Sequence, residues 1–183
     1  HVTSSLGNGI CESREFEKEM SRTERTLNDL RTKISSKQGM LLDQSFANGL
    51  AFFEERPTEE RIFHRDHHSY SESITTQIEE LVEFYASLIT GEIVAKDLDY
   101  AEIENLMEQT LNEIFGLFEE FEFGYPAAIS AGQVATAQNL WEEYVKTTAE
   151  FAYSVDASLT KRDYEAIFIL TRLDQLRALL ASL

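Results

Sequence analysis

The sequence predicts an all-α fold, an up-and-down helical bundle with a four-helix-bundle core and five to six helices in all. Three observations predict it. Apolar residues recur at helical spacing, as at Ile103, Leu106, Leu111, Ile114, Leu117, Phe118 and Phe121, which keeps one face of a helix apolar. No segment alternates polar and apolar residues between turn signals, as a half-buried strand does. Proline occurs only twice, so little interrupts a helical backbone. The 183 residues read as a single domain.

Residues 1–12 carry Gly7-Asn8-Gly9 and read as a flexible start. A first helix is expected from about Ser13 to Ser36, because Phe16, Met20, Thr23, Leu27, Leu30 and Ile34 form a heptad seam. That seam suits either the intrachain core or a partner helix. Gly39 reads as a bend or a turn. A second amphipathic stretch follows through Leu41, Phe46, Leu50 and Phe53. Pro57 is expected to end it at Arg56, and 57–69 reads as a loop or short helix.

Ser69 to Glu72 has capping-box spacing, and Ile74, Ile78, Leu81, Tyr85 and Leu88 form the stripe of the helix it opens. Gly91 loosens that helix's end. Asp99, with Glu102 three residues on, opens the next helix. Gly124-Tyr125-Pro126 reads as a hairpin turn, with a helix restarting at Pro126 and carrying Ile129, Val134, Leu140, Trp141, Tyr144 and Phe151. Thr160 and Asp163 cap a last helix with Tyr164, Ile167, Phe168, Leu173, Leu176 and Leu179 on its stripe. The pattern is still helical at Leu183, which suggests a module excised from between membrane spans.

Charge limits the partners. Asp97 to Tyr144 holds eleven acidic residues and no Lys or Arg, and the whole chain carries a net charge of −17. Such a surface repels nucleic acid and anionic membrane. One cysteine, Cys11, forms no intrachain disulfide. His64 and His68 are four apart, but no Cys or Glu-x-x-His completes a ligand set, so a polar surface turn is the reading. There is no phosphate loop, nucleophile elbow or calcium loop. Neither enzymatic activity nor a cofactor or metal is expected. Arginines stand on the first helix (Arg14, Arg22, Arg25 and Arg31), around the loop (Arg56, Arg61 and Arg65) and on the last helix (Arg162, Arg172 and Arg177). Exposed, Glu-paired side chains are expected of them. One turned into a pocket between helices clamps a small planar anion through paired hydrogen bonds. Trp141 reads by default as core, with a ligand-stacking wall as the other reading.

The run Glu15 to Leu30, with its spaced apolar residues, Arg22, the Thr23-Glu24 pair and Leu27, resembles the early helix of nitrate- and nitrite-sensing (NIT) domains. Ser69 to Ile74, with Ile78 and Leu81, is similar to that family's Tyr-centred middle helix. Glu122 to Ala128 falls where the family has a Glu-x-x-Gly-x-Glu-Arg-Ala run, with Tyr125-Pro126 standing here for its Glu-Arg pair. The resemblance implies an all-helical extracytoplasmic sensor on a bacterial receptor or a eukaryotic cyclase. No ligand residue transfers from it.

The expectation is therefore an extracytoplasmic ligand-sensing bundle of a transmembrane receptor of the chemotaxis, histidine-kinase or cyclase kind. It binds a small molecule, nitrate or nitrite among the candidates, and signals by helix repacking. Arg22, Arg25, Tyr70 and Trp141 are the candidate ligand-binding residues. A homodimer through long helices is expected, with membrane contact only through flanking segments. The alternative is an acidic helical scaffold that binds a basic protein partner.

Overall fold

The computed structural model describes residues 5–59, 67–93, 99–120 and 129–183. These form α1 (Ser5–Arg31), α2 (Ser36–Glu59), α3 (His67–Thr90), α4 (Tyr100–Glu120), α5 (Ala131–Val155) and α6 (Lys161–Leu180). The fold is all-α, and no helix among the described residues is long and apolar enough to cross a membrane.

Helix ends differ from the sequence expectation in instructive ways. α1 starts at Ser5, inside the stretch expected to be a flexible start, and ends at Arg31 rather than Ser36. Glycines inside a helix cost about 1 kcal/mol each but do not forbid it. The break between α1 and α2 is set by Ser35, not Gly39. Gln38 N donates to Ser35 Oγ (3.3 Å), and Ser35 N donates to Gln38 Oε1 (2.9 Å), a reciprocal capping box. Gly39 is helical, its N–H bonded to Ser35 O at 2.8 Å. α2 runs past Arg56 and through Pro57 to Glu59. The steric bias before proline is a tendency, and a proline in the last turn removes only one hydrogen bond.

α3 begins at His67, two residues before the expected cap, and closes at Gly91. Gly91 has φ +75, and Glu92 N donates to Ser87 O at 2.8 Å, which satisfies a carbonyl of the last turn. Asp99 caps α4 as expected, accepting from Glu102 N at 3.1 Å. α5 starts at Ala131 rather than Pro126; the expected turn at 124–126 lies outside the described residues. A capping box between Ser130 and Gln133 sets that start, with Ile129 and Val134 both buried at the staple positions. The Thr160–Asp163 box opens α6 as expected.

Four helices make the core. α2 packs most extensively on α5, α5 on α6, and α2 on α3. α2 and α5 are antiparallel, as the pairs Ser45–Thr148 and Gln38–Ser154 require. α1 lies outside on α3, and α4 outside on α6. The heptad seam of α1 serves the intrachain core: Thr23, Leu27 and Leu30 are buried, and Phe16, Met20 and Ile34 pack against the core.

One polar chain crosses the core. Ser45 Oγ lies 2.6 Å from Tyr85 Oη and 2.7 Å from Thr148 Oγ1, and Thr148 Oγ1 donates to Tyr144 O at 2.8 Å. Each hydroxyl has one proton, so Ser45 donates to Thr148 and Tyr85 donates to Ser45. Three helices are thereby held in one register. Tyr85→Phe removes the leading donor, and the expected loss is about 1–3 kcal/mol in chemical denaturation, larger than a half-exposed Tyr→Phe change would give.

The outer helices attach through carboxylates. Tyr100 Oη donates to Glu104 Oε1 (3.1 Å) and Glu165 Oε2 (3.4 Å), and the Arg162 guanidinium lies 5.4 Å from the Tyr100 ring centroid. Burial raises the Glu165 carboxyl and Glu104 adds to the rise, against the Tyr100 hydrogen bond, Arg162 and Lys161. Between α1 and α3, Glu79 is also raised, by burial first and then by Glu19, with Arg22 opposing. A carboxyl raised in the folded state contributes stability that is complete below its unfolded pKa and is lost as pH rises through the folded one. Asp156 and Asp163 are lowered by hydrogen bonds from Ser158 and Thr160, and their contribution is lost only at lower pH. The thermal midpoint is therefore expected to rise as pH falls from about 7 to about 5, then to drop below about 4. Glu165→Gln should flatten the rise without moving the acid limb.

Candidate functional site

The four core helices do not close evenly. α3 and α6 hardly approach each other along their backbones and meet through side chains, the Phe84 and Phe168 rings standing edge to face at 5.0 Å. The gap is a recess of about 180 Å³. α2 contributes Phe52 and Phe53, and α5 contributes Trp141 and Tyr144. α3 brings Gln77, Glu80, Leu81 and Phe84, and α6 brings Ile167, Phe168, Thr171, Arg172 and Gln175. Glu80 and Thr171 are exposed and mark the edge that meets solvent.

Its floor is aromatic. Phe52 and Tyr144 are nearly parallel with centroids 6.0 Å apart. Phe53 meets Tyr144 edge-on at 5.3 Å, and Phe168 does so at 5.5 Å. Such edge and offset contacts are the favourable geometries for aromatic quadrupoles, so the wall is fixed rather than loose. Gly49 on α2 makes this arrangement possible. A Cβ there would sit 2.7 Å from Leu81 Cδ2 and 3.2 Å from the Tyr144 ring, pushing two wall residues toward the recess.

One cation is built into the wall. Arg172 is fully buried, on the α6 face that also carries Ile169, Leu173 and Leu176. Its Nε donates to Gln138 Oε1 at 3.1 Å, and Gln138 Nε2 donates to Glu142 Oε1 at 3.3 Å. The guanidinium lies 5.4 Å from the Phe52 centroid, within cation–π range. Arg56, also buried, lies 6.0 Å from the same ring and donates to Gln77 Oε1 at 3.5 Å. These two residues correct the expectation that the arginines are exposed. A buried guanidinium is retained only where hydrogen bonds and packing offset its desolvation, and here an amide and an aromatic face supply both. Gln175, one turn beyond Arg172, has its Oε1 buried with no hydrogen-bond partner among the described residues. Burial drives the Tyr144 hydroxyl well above the usual phenol range, with smaller contributions from Tyr85 and from Glu80 across the recess.

Of the residues singled out from sequence, Trp141 lines the recess and is 5% exposed. Arg22 stands on α1 with its side chain 71% exposed, 3.6 Å from Glu19. Arg25 is exposed and donates from Nε to Ser21 O. Tyr70 is in the first turn of α3; its side chain lies outside the described residues. His64 lies outside them too, as do the side chains of His67 and His68. Gln77, Glu80 and Gln175 carry no such signal in the sequence, and Arg172 stands there only as one of the arginines that could turn into a pocket. A signal for Arg172 existed: it interrupts the apolar stripe of α6 at a core position. No known protein family, curated protein or solved structure matches the chain.

Proposed function

We propose that the chain is a ligand-sensing helical bundle, the extracytoplasmic part of a transmembrane receptor, with the recess between α3 and α6 as its ligand site. The observation that carries this reading is a buried arginine in the wall of an open recess inside the four-helix core. Pockets between bundle helices, mostly apolar with a few convergent polar groups, are where helical folds hold small molecules. Arg172 would favour an anionic group in the recess through its charge, which the amide of Gln138 and the ring of Phe52 hold at the wall.

Signalling would follow from the same geometry. A ligand touching both α3 and α6 favours one spacing of that pair and shifts the equilibrium by its differential affinity for the two packings. α1 rides on α3 and α4 on α6, so a change in the α3–α6 spacing moves the outer helices against one another. A homodimer through the long helices would carry that shift onward.

A thermal-shift panel of small anions and amino acids tests the reading. A ligand present at 100 times its dissociation constant adds about 2.7 kcal/mol, which for a chain of this size raises the midpoint by roughly 5–10 °C. A hit that disappears when Thr171→Trp fills the mouth of the recess supports the assignment. A hit untouched by that substitution places the ligand elsewhere and contradicts it.

A further inference from the structure

We infer that the start of α4 is docked on α6 by a proton-sensitive latch, in which Glu104 of α4 and Glu165 of α6 share one added proton across the Tyr100 hydroxyl. The latch works whether or not the recess holds a ligand.

One hydroxyl faces two acceptors. Tyr100 Oη lies 3.1 Å from Glu104 Oε1 and 3.4 Å from Glu165 Oε2. A phenol has one proton to give, and an ionised carboxylate only accepts. With both carboxylates ionised, Tyr100 completes one bond and its lone pairs face the other carboxylate. One added proton removes that conflict. The protonated carboxyl then donates to the phenol oxygen, and the phenol donates to the remaining carboxylate. A continuous chain of hydrogen bonds runs from α4 to α6, each strengthening the next. Burial first, then the two carboxylates, push the Tyr100 phenol up to about 12, so it stays a donor wherever carboxyls titrate.

The cations beside the latch do not replace the proton. Arg162 of α6 stands over the Tyr100 ring at 5.4 Å, and Lys161 Nζ pairs with Glu150 of α5 at 3.4 Å. Their charges favour the Glu165 carboxylate. Burial, with Glu104 adding to it, outweighs them and raises the carboxyl. Two carboxyls on one hydroxyl titrate as a pair, and the second resists ionisation.

Position decides what the proton controls. Tyr100 is the first residue of α4, and Glu104 stands one turn on. Further along, Met107 and Ile114 are buried, and apolar contact holds that part of the helix at any pH. A group raised in the folded state gives stability that is lost as pH rises through the folded pKa. Rising pH therefore frees the first turns of α4 and leaves the rest in place.

Amide hydrogen exchange of the full chain at about pH 5 and about pH 8, corrected for the intrinsic pH dependence of exchange, is the test. Protection of amides 103–107 is expected to be roughly three- to tenfold lower at the higher pH, the size of one net hydrogen bond. Amides of α2 and α5 serve as the reference and should not share that fall. Glu165→Gln carries a permanent donor in place of the protonated carboxyl, so protection should stay high at both pH values. Tyr100→Phe removes the bridge and should leave the segment weakly protected at both. Protection of 103–107 that does not change with pH in the parent would overturn the latch. So would a fall of the same size in Glu165→Gln, low protection of that variant at both pH values, or a fall shared equally by α2 and α5.

Discussion

Arg172→Ala will destabilise the protein by about 2–4 kcal/mol, the sum of an orphaned buried acceptor and the cavity left by a large side chain. The truncation leaves Gln138 Oε1 without its donor and opens a void beneath Phe52, over which the guanidinium now lies at 5.4 Å. Packing by the aliphatic stem is lost along with the charge. Arg172→Met behaves differently. It keeps the volume and the contact with Phe52, and buried ions replaced by apolar isosteres are often neutral or better. The orphaned Gln138 remains, so a loss of about 1–2 kcal/mol is expected. The pair Arg172→Met with Gln138→Leu removes donor and acceptor together and should recover most of that. Urea denaturation of the three variants measures these differences. If the recess takes an anion as proposed, both substitutions at Arg172 should weaken its binding, and a stable but binding-deficient methionine variant would separate the role of the charge from its role in packing.

Phe151→Ala is expected to cost about 3–5 kcal/mol, for an unrelated reason. Phe151 is fully buried on α5 and meets Tyr85 edge-on with centroids 5.3 Å apart. It sits against the hydroxyl chain of Tyr85, Ser45 and Thr148 and does not line the recess. Its loss opens a cavity where α3 and α5 are pinned, and the thermal midpoint should fall by roughly 10 °C. Ligand affinity of the folded fraction should fall less than in Phe168→Ala, because Phe151 does not line the recess and reaches it only through Tyr85, which meets Phe84 at 6.1 Å. Phe168→Ala provides the contrast. Phe168 bridges to both Phe84 and Tyr144 and lines the recess, so it should lose stability and affinity together.

Periodicity made most of the fold legible. The stripe at Ile74, Ile78, Leu81, Tyr85 and Leu88 is buried throughout; on α6 Tyr164, Leu173, Leu176 and Leu179 are buried, while Ile167 and Phe168 of the expected stripe are half-buried at the recess, since helical spacing decides which face of a helix turns from water. The Asp99 and Thr160 caps were legible too, as both pair an N-cap oxygen with an acidic residue at the third helical position. Ser35 and Ser130 use glutamine at that position, and Gly39 and Pro126 drew the boundaries away from them. Glutamine completes a capping box as well as glutamate does, so these two starts were readable in principle.

The site was less legible. Trp141 stood out as an aromatic at a core position, but nothing local distinguishes a recess wall from ordinary packing. Arg172 sits within the α6 stripe between Ile169 and Leu176, and its burial is offset by groups far off in the chain, the amide of Gln138, 34 residues earlier, and the ring of Phe52 among them. The gap between α3 and α6 is a tertiary property. It depends on how closely α2 approaches both α3 and α5 at Gly49 and on Phe84 meeting Phe168, contacts between residues far apart in the chain.

Trp141 is the only tryptophan in the chain, and it lies in the wall of the recess, so its emission reports on that site alone. Titrating the protein with a ligand found in the thermal-shift panel while exciting Trp141 is expected to give a saturable change in emission. A midpoint raised by that ligand with unchanged Trp141 emission would contradict the placement of the ligand between α3 and α6.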